Sequence, residues 1–378
     1  MPSKPIKVLF VTKYMATQRH GPSRKAMLLL FKHKMTQNDE IELRFLTEDP
    51  PANNKTCYQI EISGWKSSSI FQKYFQSWSY HKKIVDIYRQ WPFDIICFND
   101  AQQAIFSTFL NIPKTIKLLS FINDDNSALK SRRVYDHLTR YFYRRIQRVS
   151  ERHVARRADI VVCCSDYLSK LIKEQYDLSE SPLTMRPAID VAEWKLPPRS
   201  ITARVPGTIL FVKSEPRRGG LEVLLQALQN KSVKEKISHL HLGGFSNEQF
   251  QKEFIRHLPS SVEYTIHGHL NRPQLHKLVS TCHIGVVPSM YEAYGITARE
   301  FLAGGLITIV SNSGGLPEAV RGTNSDIFES HNAESLSTKL IIALSAGPQN
   351  RVSNLDEYSS TEMYQRFKEI IQSTAKAI

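Results

Sequence analysis

Short apolar runs rich in β-branched residues recur along this chain, and each leads into a stretch whose apolar positions fall at helical spacing. KVLFVTK comes first and precedes Ser23–Met35; IELRFLT, FDIICFN and IKLLSFIN follow; DIVVCCS precedes Asp166–Tyr176. Runs that are apolar throughout belong to strands buried on both faces, as in parallel sheets covered by crossover helices. The proline-bearing stretch MRPAIDVAEWKLPPRS breaks both periods, after which GTILFVK, ISHLHLGG, EYTIHG, HIGVVPS and ITIVSN restart the alternation. The pattern predicts an α/β protein of two doubly wound, Rossmann-like domains joined near residues 187–205, the first over 1–190 and the second over 191–355. In the remaining segment, 356–378, Met363, Tyr364, Phe367, Ile370 and Ile371 fall at helical spacing and predict a helix packed on one of the two domains, the N-terminal one being a candidate. Ligands of doubly wound sheets bind outside the carboxyl ends of the strands, so the site is expected in a cleft where the two sheets face each other.

Composition narrows the class. A chain of 378 residues, 41% hydrophobic and 23% charged, is globular and not disordered. Its longest apolar runs, such as Ile160–Cys164 and Ile284–Val287, fall far short of the roughly 18 residues of a membrane span. The early run Val8–Val11 is likewise too short for a secretory core of about 7–15 residues, so it is expected to be the first buried strand of a cytoplasmic domain. Cys57, Cys97, Cys163, Cys164 and Cys282 are odd in number and lack C-x-x-C spacing, which implies a reducing compartment and no structural zinc. A net charge of +14 makes the surface attractive to a nucleotide, a nucleic acid or an acidic membrane without choosing among them. No nucleic-acid module accompanies the charge, so nucleic acid is set aside.

The stretch with most chemical content is PSMYEAYGITAREFLAGGLITIVSNSGGLPEAV, Pro288–Val320. A strand is expected to end at Pro288 and Ser289, a loop to run to Tyr294 and Gly295, and a helix to begin near Thr297. Glu292 then lies in the loop and Glu300 in the first turns of the helix, where the two carboxylates face different parts of one ligand. The N-terminus of a helix leaves backbone N–H groups unpaired and carries about half a positive charge, which suits a phosphate.

These residues resemble the retaining glycosyltransferases of family 4, whose fold is GT-B. The resemblance rests on two glutamates separated by seven residues in P-S-x-x-E-x-x-G, the small-residue turn Ala303–Gly305, and SGGLPE at Ser313–Glu318. It implies a nucleotide-diphosphate sugar as donor, a glycan or lipid-linked acceptor, no cofactor and no required metal. Carried onto this chain, it places Glu292 on hydroxyls of the transferred sugar and Glu300 on the nucleotide ribose. Backbone N–H groups of Tyr294, Gly295, Ile296 and Thr297 would hold the diphosphate. FVKSEPRRGGLEVLLQAL resembles the family's phosphate-gripping loop, with Arg218 in the place of its lysine; the family's arginine falls on Lys213 or Ser214. Gly268 through Leu270 would form the rim of the base pocket. His267, His269, His276 and His283 are expected on loops and helix surfaces, and ERHVARRADIVVCCSDYLSKLIKEQY with RPAIDVAEW is similar to the family's crossing between domains. The alternatives are a non-catalytic nucleotide-sugar-binding subunit and another GT-B enzyme such as a sugar-nucleotide epimerase.

On the acceptor side, Gly21 before a helix start offers either a phosphate- or acceptor-binding loop or a plain helix cap. Where the family commonly has a histidine, this chain has Asn123, Asp124 and Asp125; Asp124 either hydrogen-bonds the reacting sugar or caps a turn. Ten basic residues between Lys130 and Arg157 stand against Asp136 and Glu151, beside an apolar stripe of Val134, Leu138, Tyr141, Phe142, Ile146 and Val149. The stripe is expected to be buried. The outer face reads either as a solvated basic helix or as a surface for anionic lipid on the inner side of a membrane. WKSSSIFQKYFQSWSYHKK clusters Trp65, Phe71, Tyr74, Phe75, Trp78 and Tyr80 for a bilayer interface, an acceptor region or core.

Overall fold

The computed structural model describes residues 4–13, 40–49, 56–61, 70–109, 115–122, 138–194, 204–348 and 359–376. The chain divides into two compact units, one of residues 1–188 with 360–378, the other of residues 189–359.

The first unit is built on a parallel sheet of seven strands: β1 (Ile6–Val11), β2 (Ile41–Thr47), β3 (Cys57–Gln59), β4 (Ile95–Phe98), β5 (Lys117–Ile122), β6 (Ile160–Cys163) and β7 (Leu183–Thr184). Their order across the sheet is β3-β2-β1-β4-β5-β6-β7, with Phe10 level with Phe45 on one side and Cys97 on the other. Successive side chains of a strand point to opposite faces, and both faces are buried. Val8, Phe10, Phe45, Cys97 and Phe121 enter one core, where the helix Ser360–Lys376 supplies Met363, Tyr364, Phe367, Ile370 and Ile371. Phe367 lies 6.1 Å from Phe10, ring centre to ring centre, and each such fully buried side chain is worth about 1.5–3 kcal/mol. Leu9, Val11, Ile96 and Phe98 enter the other core with Tyr80, Ile84 and Ile87 of the helix Ile70–Gln90. Tyr80 donates to Glu48 Oε1 at 2.9 Å, so this part of the aromatic segment is core, whereas Phe75 is exposed.

The basic helix runs over Leu138–Arg157; of the expected stripe, Val134 and the side chains of Leu138, Tyr141, Phe142 and Ile146 lie outside what is described, and Val149 needs correction. Val149 is 61% exposed, and among the described side chains of this helix the buried positions are Ser150, Glu151, Val154 and Ala155. Glu151 shares the inner face with Val154 and Ala155 because it is satisfied there, accepting a hydrogen bond from the Tyr176 hydroxyl at 2.6 Å. Three cations of its outer face are engaged within the unit: Arg148 with Gln175, Arg156 with Asp177 and Arg157 with the Thr108 carbonyl. Lys130 to His137, Trp65, Gly21 and Asp124 lie outside the described residues, as does the expected helix Ser23–Met35. No helix among the described residues is long and apolar enough to cross a membrane.

The second unit repeats the plan with a parallel sheet of six strands: β8 (Thr208–Val212), β9 (His239–Gly243), β10 (Tyr264–Ile266), β11 (Ile284–Val287), β12 (Ile307–Ser311) and β13 (Asp326–Phe328), in the order β10-β9-β8-β11-β12-β13. Ile209, Phe211, Leu240, Leu242, Val286 and Ile309 pack one face against Leu221 and Leu224 of the helix Leu221–Ala227 and Leu336 and Leu340 of the helix Ala333–Ala346. In both sheets the strand order reverses next to the first strand, between β1 and β4 and between β8 and β11. Such a reversal splays the connections apart and leaves a crevice at the carboxyl ends of the strands.

Candidate functional site

Lys213 directly follows β8, and Glu292 lies in the loop that follows β11, so these residues flank the reversal point of the second sheet. The Lys213 ammonium donates to Glu292 Oε2, and both side chains are about four-fifths buried (19% and 21% exposed). Ser289 Oγ donates to the same oxygen at 3.2 Å. The loop is held from the next strand: Ser311 Oγ donates to the Ser289 carbonyl at 2.6 Å and Ser313 Oγ to the Met290 carbonyl at 2.7 Å. Gly315 N–H donates to the Glu292 carbonyl at 2.8 Å. Gly314 takes φ +60°, and a Cβ there would stand 2.1 Å from the Glu292 carbonyl oxygen. The SGG of SGGLPE thus fixes the backbone of Glu292.

Arg218 comes to the same crevice on the loop after β8. Its carbonyl accepts from Met290 N–H at 2.9 Å, and its guanidinium lies 5.2 Å from the Tyr291 ring centre. A cation over an aromatic face is fixed in place without losing its charge.

The loop after β11 ends at Gly295, whose φ of +114° turns the chain into the helix Ile296–Ala303. This conformation belongs to glycine. Tyr294 is buried, Ile296 and Thr297 occupy the first turn, and no side chain caps this helix end. The amides of the first turn have no partner within a helix, so this terminus can receive an anion. Glu300 stands one turn further on, only 5% exposed, and accepts from Arg272 at Oε1. Two carboxylates come out of one strand-loop-helix segment, each held by its own cation.

Arg272 opens the helix Arg272–Thr281, behind a capping box in which Asn271 Oδ1 accepts from Gln274 N–H and Gln274 Oε1 accepts from Asn271 N–H. Its Nε and Nη2 donate to the two oxygens of Glu193, both at 2.6 Å, and its guanidinium lies 4.1 Å from the Trp194 ring centre. His276, one turn along the same helix, stacks on Trp194 at 4.1 Å. Arg272 and Glu193 escape sequence reasoning because their partners lie far away in the chain; an arginine at a helix start carries no local mark of a long-range pair.

Gly268 follows β10 at φ +65° with open space around its Cβ position, and its carbonyl accepts from Gly244 N–H at 2.7 Å. Leu270 packs over Gly243. Beside this rim, His241 Nδ1 and His267 Nε2 share a hydrogen bond of 3.1 Å. Burial, followed by the nearby His239 and His267, pushes the His241 imidazole down to about 4. His283 is corrected: it is buried at the foot of β11, where its Nδ1 accepts from Gly207 N–H at 3.3 Å and its backbone N–H donates to Thr208 Oγ1 at 2.9 Å.

The far ends of the two site helices share one cation. Arg204 is buried and donates to the carbonyls of Val279 at 2.8 Å, Cys282 at 2.7 Å, and Gly304. A positive charge at two helix C-termini complements both dipoles and ties Arg272's helix to Glu300's.

Residues 197–361 match the family Glycosyl transferases group 1. Glycogen synthase of Mycobacterium tuberculosis is 26% identical over 239 residues, 61% of this chain and 55% of that protein. An uncharacterized glycosyltransferase of Methanocaldococcus jannaschii is 28% identical over 113 residues, 30% of this chain and 29% of that protein. The chain thus spans about half or less of these curated relatives. Among solved structures, sucrose-phosphate synthase of Thermosynechococcus elongatus superposes with a TM-score of 0.77 at 14% identity, covering 99% of this chain and 100% of that one. HepE of Anabaena in complex with UDP-glucose gives 0.70 at 14% identity, covering 97% and 100%. The fold, two parallel-sheet α/β units, is that of the GT-B glycosyltransferases.

Proposed function

We propose that this chain is a retaining glycosyltransferase of family 4 that moves a hexose from a nucleotide-diphosphate sugar to an acceptor hydroxyl. The observation that carries the reading is the pairing of Glu292 with Lys213 and of Glu300 with Arg272, in the unit that matches Glycosyl transferases group 1. The UDP-glucose held by HepE, which shares the fold, is consistent with such a donor.

In this reading Glu300 accepts from the ribose hydroxyls and the amides of Tyr294–Thr297 take the diphosphate. Gly268 and Leu270 border the base, and Glu292 accepts from hydroxyls of the sugar. Lys213 and Arg218 face the charge that grows on the departing diphosphate, where a fixed cation lowers the barrier because it needs no reorganisation. The bond from the anomeric carbon to the leaving oxygen breaks as positive charge spreads over the ring. The acceptor oxygen bonds to the anomeric carbon on the face the diphosphate leaves while a phosphate oxygen takes its proton, so the configuration is retained and no protein nucleophile is used. Charge stabilisation is assigned to Lys213 and Arg218, not to a metal, so a chelator leaves turnover unchanged.

The test is release of nucleoside diphosphate from a panel of nucleotide sugars, with the anomer of the product read by NMR. One or a few donors should be turned over with retention. Binding without turnover would make the chain a nucleotide-sugar-binding subunit, and a donor altered only at a ring carbon would make it an epimerase.

The acceptor in this reading is a glycan or glycolipid, met by the first unit at the cytoplasmic face of a membrane, with Gly21 and Asp124 on its acceptor side. The support is the basic sequence of Lys130–Arg157 together with the exposed Phe75 and Val149 on helices of that unit. Salt-sensitive sedimentation with acidic vesicles, absent with neutral ones, is the corresponding result, because exposed charges are screened beyond about 8–10 Å at physiological ionic strength.

A further inference from the structure

We infer that Arg272 is the positioning residue of the ribose-binding carboxylate, and that Glu193 and Trp194 are what hold it in position. The inference rests on the assignment of Glu300 to the ribose made above.

Three of the guanidinium's nitrogens are committed. Nε and Nη2 form a two-point fork on the two oxygens of Glu193, each at 2.6 Å, while Nη1 donates to Glu300 Oε1. The plane of the group is fixed a second time by Trp194, 4.1 Å from its centre and fully buried. His276 closes the arrangement, stacked on the same indole and with Nε2 3.5 Å from Glu193 Oε1. A planar fork seated on both a carboxylate and an indole retains little freedom, so the direction of its remaining N–H groups is set. Those groups define where Glu300 Oε1 sits.

The consequence falls on the other oxygen of Glu300. With Oε1 held by Arg272, the orientation of this buried carboxylate is set, and with it the direction from which it meets vicinal hydroxyls. The charges of Glu193, Arg272 and Glu300 leave one net negative charge on the triad, suited to accepting from hydroxyl donors. Lysine, a point charge on a flexible stem, cannot reproduce the fork. Glu193 and Trp194 lie before the stretch that matches Glycosyl transferases group 1, so the anchor belongs to the segment by which the chain begins its second unit.

The segment RPAIDVAEW therefore carries part of the ribose chemistry. Discrimination between ribonucleotides and 2′-deoxyribonucleotides should run through Arg272 although it is Glu300 that touches the sugar.

The experiment measures the dissociation constants of a ribonucleoside diphosphate and its 2′-deoxy form by calorimetry. The proteins are wild type, Glu300→Ala, Arg272→Gln, Arg272→Lys, Glu193→Gln and Arg272→Gln/Glu300→Ala, each checked for a cooperative melt. Glu300→Ala should weaken ribonucleotide binding about tenfold or more and collapse the ribo/deoxy ratio, as loss of a charged hydrogen bond requires. Arg272→Gln should approach Glu300→Ala in both respects, Glu193→Gln should fall between, and the double variant should be no worse than Glu300→Ala. Arg272→Lys should fail to restore the ratio. With the turned-over donor, KM should rise while kcat at saturation stays within about twofold, since a group that acts on bound ribose contributes equally in ground and transition states. Glu193→Gln is nearly isosteric and keeps the test informative if Arg272→Gln does not fold. If Glu300→Ala alone leaves affinity and ratio unchanged, the ribose assignment itself is wrong. If Glu300→Ala has its effect but both Glu193→Gln and the folded Arg272 variants retain the wild-type ratio, the positioning role is overturned and the proposed function stands.

Discussion

Lys213 and Glu292 lie 79 residues apart in the chain, yet the ammonium of the first and the carboxylate of the second form a direct, largely buried ion pair across the reversal point of the second sheet. The pair unites the loop after β8 with the loop after β11. Each residue depends on the other for its charge to be tolerated away from water.

Removing one partner should therefore do more than remove a contact. Lys213→Ala leaves Glu292 without its cation and removes the positive charge proposed to face the donor diphosphate. Turnover should fall on the order of tenfold to a hundredfold, following the roughly 1.5–3 kcal/mol of a charged hydrogen bond. Steady-state kinetics at saturating donor checks this, and an unchanged kcat would remove Lys213 from the phosphate side of the site.

Gly314 offers a test of how Glu292 is held. Gly314→Ala brings a Cβ to 2.1 Å from the Glu292 carbonyl oxygen, whereas Gly322→Ala, at a similar φ of +72°, meets nothing within 4 Å. Both variants should lose about 1–2 kcal/mol through the left-handed backbone. Only Gly314→Ala should also lose turnover, because only it displaces the loop. Equal turnover of the two in paired melts and kinetics would show that the SGG turn does not position Glu292.

Legibility in the sequence followed the range over which each signal acts. β1, β2, β11 and β12 are four to seven residues long and dominated by apolar, often β-branched side chains, enough to declare themselves. β3, β7 and β13 have only two or three residues, too few for any period, and exist because a neighbouring strand offers an open edge. Glu292 and Glu300 were legible because their separation and the glycines around them are local. The cations that hold them were less so: Arg272 reaches Glu193 across 79 residues and Glu300 across 28, and no spacing rule links residues so distant. Val149 shows the limit of periodicity, since a hydrogen-bonded Glu151 could take the buried side of its helix and leave the valine outside.

The histidines beside the rim give the fold an acid sensitivity. His241 titrates near 4 when folded against an ordinary value of 6.5, held down by burial and by His239 and His267. Between those values the unfolded chain binds a proton that the folded one does not. Stability should therefore fall as pH drops from about 6.5 towards about 4, and the contribution should be absent above that window. His239, His267, and Glu263, 3.7 Å from His239 Nδ1, are the titratable groups around it. His241→Gln should show a shallower loss of thermal midpoint between pH 7 and pH 5 than wild type. Identical slopes would assign the acid sensitivity to other groups.

The proposed contact of Glu292 is with the sugar and not with the nucleotide. It is tested most directly by titrating free nucleoside diphosphate into Glu292→Ala, using the nucleotide of whichever donor wild type turns over, alongside transfer by the same variant. Transfer should be lost while nucleoside diphosphate affinity stays within about threefold of wild type, a difference of less than about 1 kcal/mol. A parallel loss of nucleoside diphosphate binding in a variant that melts like wild type would contradict it.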